Sequence, residues 1–253
     1  MAKLFGVLLA IALGAYAFAC AALFFSQRSF LYYPTLRTGH APVEHLRRDG
    51  VDLVVSVRAH AGPRAVIYLG GNAEDVSQSV PLMAETFPDA AIHALHYRGY
   101  GGSTGQPTEK DLVADATSLF DQVHARHPDV TVIGRSLGSG VAIQLATRRP
   151  VSRLVLVTPY ASIAELGAQH FRYLPVRWLL QDTYESRRFA PAVSIPTTVI
   201  AAGHDEVIPM ASTRRLLAAF QPGIASFVVI RGAGHNDIAE HDEYAAALRE
   251  SGP

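Results

Sequence analysis

Residues 132–140, Val-Ile-Gly-Arg-Ser-Leu-Gly-Ser-Gly, constrain this chain more than any other stretch. A serine stands between two glycines, with a β-branched apolar run before it and helical spacing after it. The pattern predicts a strand that turns sharply into a helix at Ser136. Such a turn exposes the hydroxyl at the cost of a strained backbone with crowded neighbours two residues to either side. Gly134 and Gly138 remove the side chains that would collide there. A serine hydroxyl is a weak nucleophile at neutral pH, so the elbow has chemical value only beside a base and donors for an oxyanion. The helix beginning near Leu137 supplies N–H groups and the positive end of its dipole.

The G-x-S-x-G spacing also arises in ordinary glycine turns, so the residues downstream carry the argument. An apolar run at 197–202 predicts a strand ending on Gly203-His204-Asp205-Glu206, and a run at 226–230 ends on Arg231-Gly232-Ala233-Gly234-His235. An acid and then a histidine thus follow the serine, each just past the C-terminal end of a strand. In an open α/β sheet those ends converge on one rim, where sites form. A turn-capping carboxylate and an idle loop histidine explain each residue singly, but not the ordered set. Glu206 and Asp237 are rival acids. Asp205 is preferred because it lies closer to its strand end, whereas Asp237 is too near His235 in sequence to face its ring across the site. The expected constellation is Ser136 as nucleophile, His235 as base and Asp205 as the acid that orients the base.

Runs at 65–69, 90–95 and 153–157 read as further strands, while 76–87, 109–126 and 139–147 have helical spacing. Residues 43–48 and 51–58 flank Asp49-Gly50 and predict a hairpin. Strands alternating with helices in this way require a mostly parallel sheet with helices on both faces. The interval 162–190 breaks the alternation. Its Phe171, Tyr173, Leu174, Trp178, Leu179 and Leu180 recur at helical spacing, which predicts a small helical cap over the strand ends. Phe171, Trp178 and Leu179 are the candidate substrate-binding residues of that cap. Gly71-Asn72, in the first turn from strand to helix, is placed to supply an oxyanion donor from Asn72 beside that of Leu137. The glycine-rich loop at 98–102 reads as a backbone turn at the rim.

The amino terminus is a different kind of sequence. Residues 4–25 carry no charge, and the run is long enough to cross a hydrocarbon core as a helix. The expected organisation is a transmembrane anchor at 1–27, a juxtamembrane linker at 28–42 and one α/β domain at 43–253 with its cap insertion at 162–190. The rival is a cleaved signal peptide, since Ala-x-Ala patterns precede Cys20. The unbroken apolar run to Phe25 exceeds a usual signal core and favours retention at the membrane. Lys3 opposes Arg28 and Arg37, so the positive-inside count nearly balances and assigns no side. The single cysteine forms no internal disulfide, and 22 basic against 22 acidic residues leave no electrostatic footprint for nucleic acid. The 11 histidines show no metal-ligand spacing, so neither a metal nor another cofactor is expected.

The segments 70–75, 97–103 and 134–140, with the Asp205 and His235 loops, together resemble the membrane-anchored α/β-hydrolase-domain serine hydrolases. That branch includes protein depalmitoylases and bacterial relatives. The resemblance implies an α/β-hydrolase fold, with Ser136 as nucleophile, Asp205 and His235 as its partners and the Asn72 and Leu137 amides as oxyanion donors. It also implies hydrolysis of acyl esters or thioesters near a membrane. Two positions depart from the group, which usually has His at Gly70 and Asp at His96. One alternative is a peptidase of the serine aminopeptidase type, which needs a subsite for a free amine drawn from acids such as Glu165, Asp182 or Glu185. The other is a membrane-tethered interaction module without activity, which has no need of all three triad residues.

Overall fold

The computed structural model describes residues 1–250, so positions 251–253 of the expected domain lie outside the described residues. Its sheet has eight strands: β1 (Val43–Arg48), β2 (Val51–Arg58), β3 (Arg64–Leu69), β4 (Ala90–Leu95), β5 (Asp129–Arg135), β6 (Arg153–Val157), β7 (Thr197–Ala202) and β8 (Ala225–Ile230). They lie in the order β1-β2-β4-β3-β5-β6-β7-β8. β1 and β2 pair antiparallel, as do β2 and β4; every later pairing is parallel. The hairpin turns on Asp49 (φ 50) and Gly50 (φ 77), the double positive φ that makes an Asp-Gly pair favourable in a two-residue connection.

The inner strands are buried along nearly their whole length because helices cover both faces. On one side lie α3 (Glu109–His124), α4 (Leu137–Ala146) and α8 (Met210–Leu217); on the other lie α2 (Val80–Thr86) and α9 (Asp242–Arg249). Helix α3 starts where Thr108 Oγ1 accepts the Asp111 N–H at 3.1 Å. It buries Leu112, Ala116, Leu119, Phe120 and Val123 along one stripe. Truncating a fully buried ring such as Phe120 to alanine costs about 3–5 kcal/mol. The helix expected at 76–87 divides into a 3₁₀ turn, Val76–Gln78, and α2. Asp75 Oδ1 accepts the Ser77 N–H at 3.0 Å and caps the first piece. Pro81, which fits only a first helical turn, restarts the second.

The cap consists of α5 (Ile163–His170), α6 (Val176–Leu179) and α7 (Ser186–Phe189). The N-terminal helix α1 (Ala2–Leu31) runs beyond the apolar stretch and joins it. Gln27 Nε2 donates to the Leu179 carbonyl at 3.2 Å, and its Oε1 accepts the Gln181 N–H at 2.7 Å. Arg28 Nε donates to Asp182 Oδ2 at 3.0 Å, while Asp182 Oδ1 accepts the Glu109 N–H at 3.1 Å. The expected linker at 28–42 is therefore corrected: its first four residues are helical, and the rest is stitched to the domain. The Tyr33 N–H donates to Asn72 Oδ1 at 2.9 Å, the Thr35 carbonyl accepts the Gly101 N–H at 2.8 Å and the Thr38 N–H donates to Asp75 Oδ2 at 2.6 Å. An extended segment carries unpaired backbone groups, and these rim loops satisfy them.

Candidate active site

The elbow forms where β5 passes into α4. Ser136 adopts φ 48 and ψ −116, a conformation that costs an L-residue on the order of 1–3 kcal/mol. The surroundings enforce it. The Ser136 N–H donates to the Val157 carbonyl at 2.9 Å, and its own carbonyl accepts Ser139 Oγ at 2.6 Å. A Cβ on Gly134 would overlap the Gly138 carbonyl, and one on Gly138 would overlap the Leu69 carbonyl of β3. The two glycines thus let a helix lie directly against two strand ends.

Three strand-end loops converge on this serine. His235 Nε2 lies 3.0 Å from Ser136 Oγ, and its Nδ1 lies 2.9 Å from Asp205 Oδ2 and 3.0 Å from Oδ1. The Asp205 carboxylate is itself aimed by the Val207 and Ile208 N–H groups, which reach Oδ1 at 2.9 and 2.6 Å. Both His235 and Asp205 side chains are almost fully buried. An Nδ1–H facing the carboxylate leaves Nε2 free to accept the serine proton. The rival acids sit elsewhere: Asp237 caps the Gly234 N–H at 2.6 Å, and Glu206 faces the His235 backbone N–H at 3.4 Å.

Opposite the elbow, Asn72 lies at the cleft with its side chain turned to structural use. Its Oδ1 accepts from the Tyr33 and Ala73 N–H groups and from the Tyr100 hydroxyl at 2.8 Å. The Gly71 N–H is occupied by Glu74 Oε2 at 2.6 Å, which removes it as an oxyanion donor. The backbone N–H groups of Asn72 and Leu137 find no acceptor among the described residues, and both residues line the cleft beside Ser136.

Sequence reasoning missed the brace behind these loops. Glu74 Oε2 also pairs with Arg135 Nη1 at 3.0 Å, and Arg135 Nη2 donates to the His235 carbonyl at 3.1 Å. Arg135, the residue just before Ser136, therefore ties the Asn72 loop to the His235 loop. Burial opposes its charge most strongly, but the Glu74 carboxylate, its hydrogen bond and the neighbouring Tyr68 and Tyr244 together hold the guanidinium above its ordinary pKa. Burial and the same carboxylate push the Tyr68 phenol well above its usual range, so it stays protonated and donates to Glu74 Oε1 at 2.6 Å. A charged residue in the middle of an otherwise apolar elbow is the signal that pointed to such a partner.

The two departures from the family pattern have physical causes. A Cβ at Gly70 would collide with the Val76 side chain, so this loop has no room for a histidine there. His96 is buried, and burial pushes its pKa down to about 4. It therefore stands as a neutral ring within hydrogen-bond distance of Ser56 Oγ at 2.9 Å.

A cleft of about 440 Å³ opens above Ser136. Of the cap residues expected to line it, Phe171 does. Trp178 and Leu179 do not: Trp178 is 89% exposed, and Leu179 contributes its backbone carbonyl to Gln27. Helix α6 is only four residues long after Pro175, so the periodic face that the spacing implied never forms. Leu180, Leu166 and Val176 take those places, and the wall facing them comes from α1, through Leu23, Gln27, Phe30 and Leu31.

A mostly parallel eight-stranded sheet with a strained serine between β5 and α4 defines an α/β-hydrolase. Residues 63–189 match the family described as Serine aminopeptidase, S33 (Hydrolase_4), and the chain belongs to it, as a serine hydrolase. It is 36% identical over 237 residues to an uncharacterized protein of Mycobacterium tuberculosis, covering 83% of this chain and 81% of that one. It is also 32% identical over 205 residues to the lysophosphatidylserine lipase ABHD12 of Mus musculus, covering 71% of this chain and 51% of that one. Among solved structures, a putative hydrolase from Agrobacterium vitis S4 superposes with a TM-score of 0.67 at 17% identity, over 84% of this chain and 97% of that one.

Proposed function

We propose that the protein hydrolyses carboxylic ester or thioester bonds of lipophilic acyl substrates through a Ser136–His235–Asp205 acyl-enzyme cycle, with α1 as a retained membrane anchor. His235 Nε2 takes the proton from Ser136 Oγ as the oxygen attacks the acyl carbonyl. Asp205 holds the ring in the Nδ1–H tautomer and stabilises the imidazolium. The Asn72 and Leu137 N–H groups receive the developing oxyanion. His235 then protonates the leaving oxygen or sulfur, and a water molecule repeats the cycle on the acyl-enzyme. The observation that carries this reading is the single chain of contacts from Ser136 Oγ through His235 to Asp205, at 3.0 and 2.9 Å. A largely apolar cleft above the serine and a relative named as a lysophosphatidylserine lipase support a lipophilic acyl substrate.

An aminopeptidase needs an acid to hold a free amine. Glu165 is paired with Arg187 and Arg215, Asp182 with Arg28, and Glu185 with Ser162 and two arginines. None of the three lines the cleft; Glu206 is the acid that does. The deciding experiment offers the full chain p-nitrophenyl esters and acyl thioesters of graded length beside aminoacyl p-nitroanilides. Each buried methylene contributes about 0.8 kcal/mol, so kcat/KM should climb with chain length until the cleft is full. Ser136→Ala should keep the fold while losing turnover and labelling by a fluorophosphonate probe. Turnover of the anilides that depends on Glu206 would turn the reading to the peptidase. Specificity constants that fall steadily with acyl length would remove the lipophilic substrate and leave the triad in place.

A further inference from the structure

The cap does not stop at the domain surface. Its segment between α5 and α6 reaches back along the anchor, where the Tyr173 carbonyl accepts the Tyr16 hydroxyl at 3.1 Å. Phe171 packs at a tilt against Phe30 with ring centroids 6.4 Å apart. Tyr16 lies about 14 Å along the helix from Phe25, the end of the uncharged run, at 1.5 Å per residue. A segment that touches α1 at that level lies alongside the part of the helix built to be in lipid. That segment and α6 after it carry the cap's most exposed aromatics, Tyr173 at 80% and Trp178 at 89%. Left in water, two such side chains beside an apolar helix expose a continuous apolar surface. Tilt of α1 and thinning of the leaflet beside it bring them to the boundary between headgroups and acyl chains, where Trp and Tyr concentrate. Arg172 and Arg177 border them, and their long stems let the guanidinium groups reach the phosphates.

The cleft lies between the same two elements. Leu23, Phe30 and Leu31 of α1 face Leu166, Phe171 and Leu180 of the cap, with Ser136 at the inner end. We propose that the 171–178 segment rests in the leaflet that α1 enters, and that the cleft between α1 and the cap takes the acyl chain of a membrane lipid ester laterally from it. The anchor is then one wall of the acyl site as well as a tether. This rests on the ester hydrolase reading above and extends it to the source of the substrate and its route of entry.

The test uses the full chain in phosphatidylcholine vesicles, with and without lipids brominated on their acyl chains. Trp178 is the only tryptophan in the sequence, so its fluorescence reports this segment alone. Insertion predicts a blue-shifted emission that loses most of its intensity in brominated lipid. Emission at the water-exposed wavelength, unaffected by bromine, overturns the placement. The wall is tested by the ratio of kcat/KM for long over short acyl esters. Leu23→Phe, which narrows the cleft, should lower that ratio about tenfold, and Leu23→Ala should raise it. Opposite shifts cannot come from a folding defect, and equal ratios in the parent and both variants overturn the wall. The Trp178 signal needs no turnover. A quenched Trp178 in a parent that cleaves no ester would defeat the catalytic reading and leave the membrane placement standing.

Discussion

Across one cleft, two walls are held together by different means. On the rim, the Ser136 backbone is pinned by Val157 and Ser139, Asp205 by two N–H groups, and the His235 loop by Arg135. On the facing wall, α1 meets the cap through a few hydrogen bonds from Tyr16, Gln27 and Arg28, and otherwise through aliphatic and aromatic contact. The rim must hold a proton path to within a few tenths of an ångström. On the proposed function the wall must accommodate acyl chains of varying length, and non-directional contact does that. Polar precision and apolar tolerance face each other across one cleft of about 440 Å³.

The sharpest way to break the rim is Asp205→Asn. Its fold should survive, because the amide oxygen still accepts the Val207 and Ile208 N–H groups. The wrong imidazole tautomer should lower turnover about 10⁴-fold, with fluorophosphonate labelling slowed but present. A loss below tenfold would pass the acid role to Glu206. Next comes Arg135→Leu, which leaves Glu74 buried without its cation. It should cost about 3–5 kcal/mol in urea unfolding, and the double variant with Glu74→Gln should recover part of that loss. A loss under about 1 kcal/mol would show that the brace is slack and the rim no stiffer than the wall.

How much of this was visible in the sequence divides along the same line. The hairpin at Asp49-Gly50, the elbow and the strand-end loops are local patterns, each legible within a dozen residues. Glu74 and Arg135 lie 61 positions apart, and only the parallel pairing of β3 with β5 brings their loops together. Trp178 and Leu179 were misplaced because helical spacing was read across Pro175 and a helix of four residues. The α1 wall was invisible for another reason. Leu23, Phe30 and Leu31 look the same whether lipid or a substrate cleft receives them, and tertiary packing alone decides between the two.

Two smaller effects sharpen the contrast. His93 on β4 is 3% exposed, its ring nitrogens have no partner among the described residues, and burial pushes its pKa down to about 4. The unfolded chain binds a proton there at about pH 6.5, so stability is full above that value. It falls as pH drops toward 4, by on the order of 3 kcal/mol. His93→Leu should remove that part of the acid limb, measured as the difference in unfolding free energy between neutral and acid pH. An unchanged limb would assign the slope to other groups. The smallest effect belongs to the wall. Arg28 is 45% exposed, so Arg28→Ala should cost no more than about 1 kcal/mol by thermal unfolding. A larger loss would show that the wall is as polar in its construction as the rim.

Asp182 has a mechanical consequence. One buried carboxylate takes hydrogen bonds from α1 at Arg28 and from the start of α3 at Glu109, while the chain around it belongs to the cap. A cap held at that corner is expected to open by tilting about Asp182 rather than by lifting as a rigid plate, with the greatest travel at the far end, where Phe171 and Tyr173 meet α1. The direction of motion is thus built into the placement of one charge. On the proposed function, a cleft that widens along α1 and stays shut toward bulk water returns cleaved acyl chains to the side they came in.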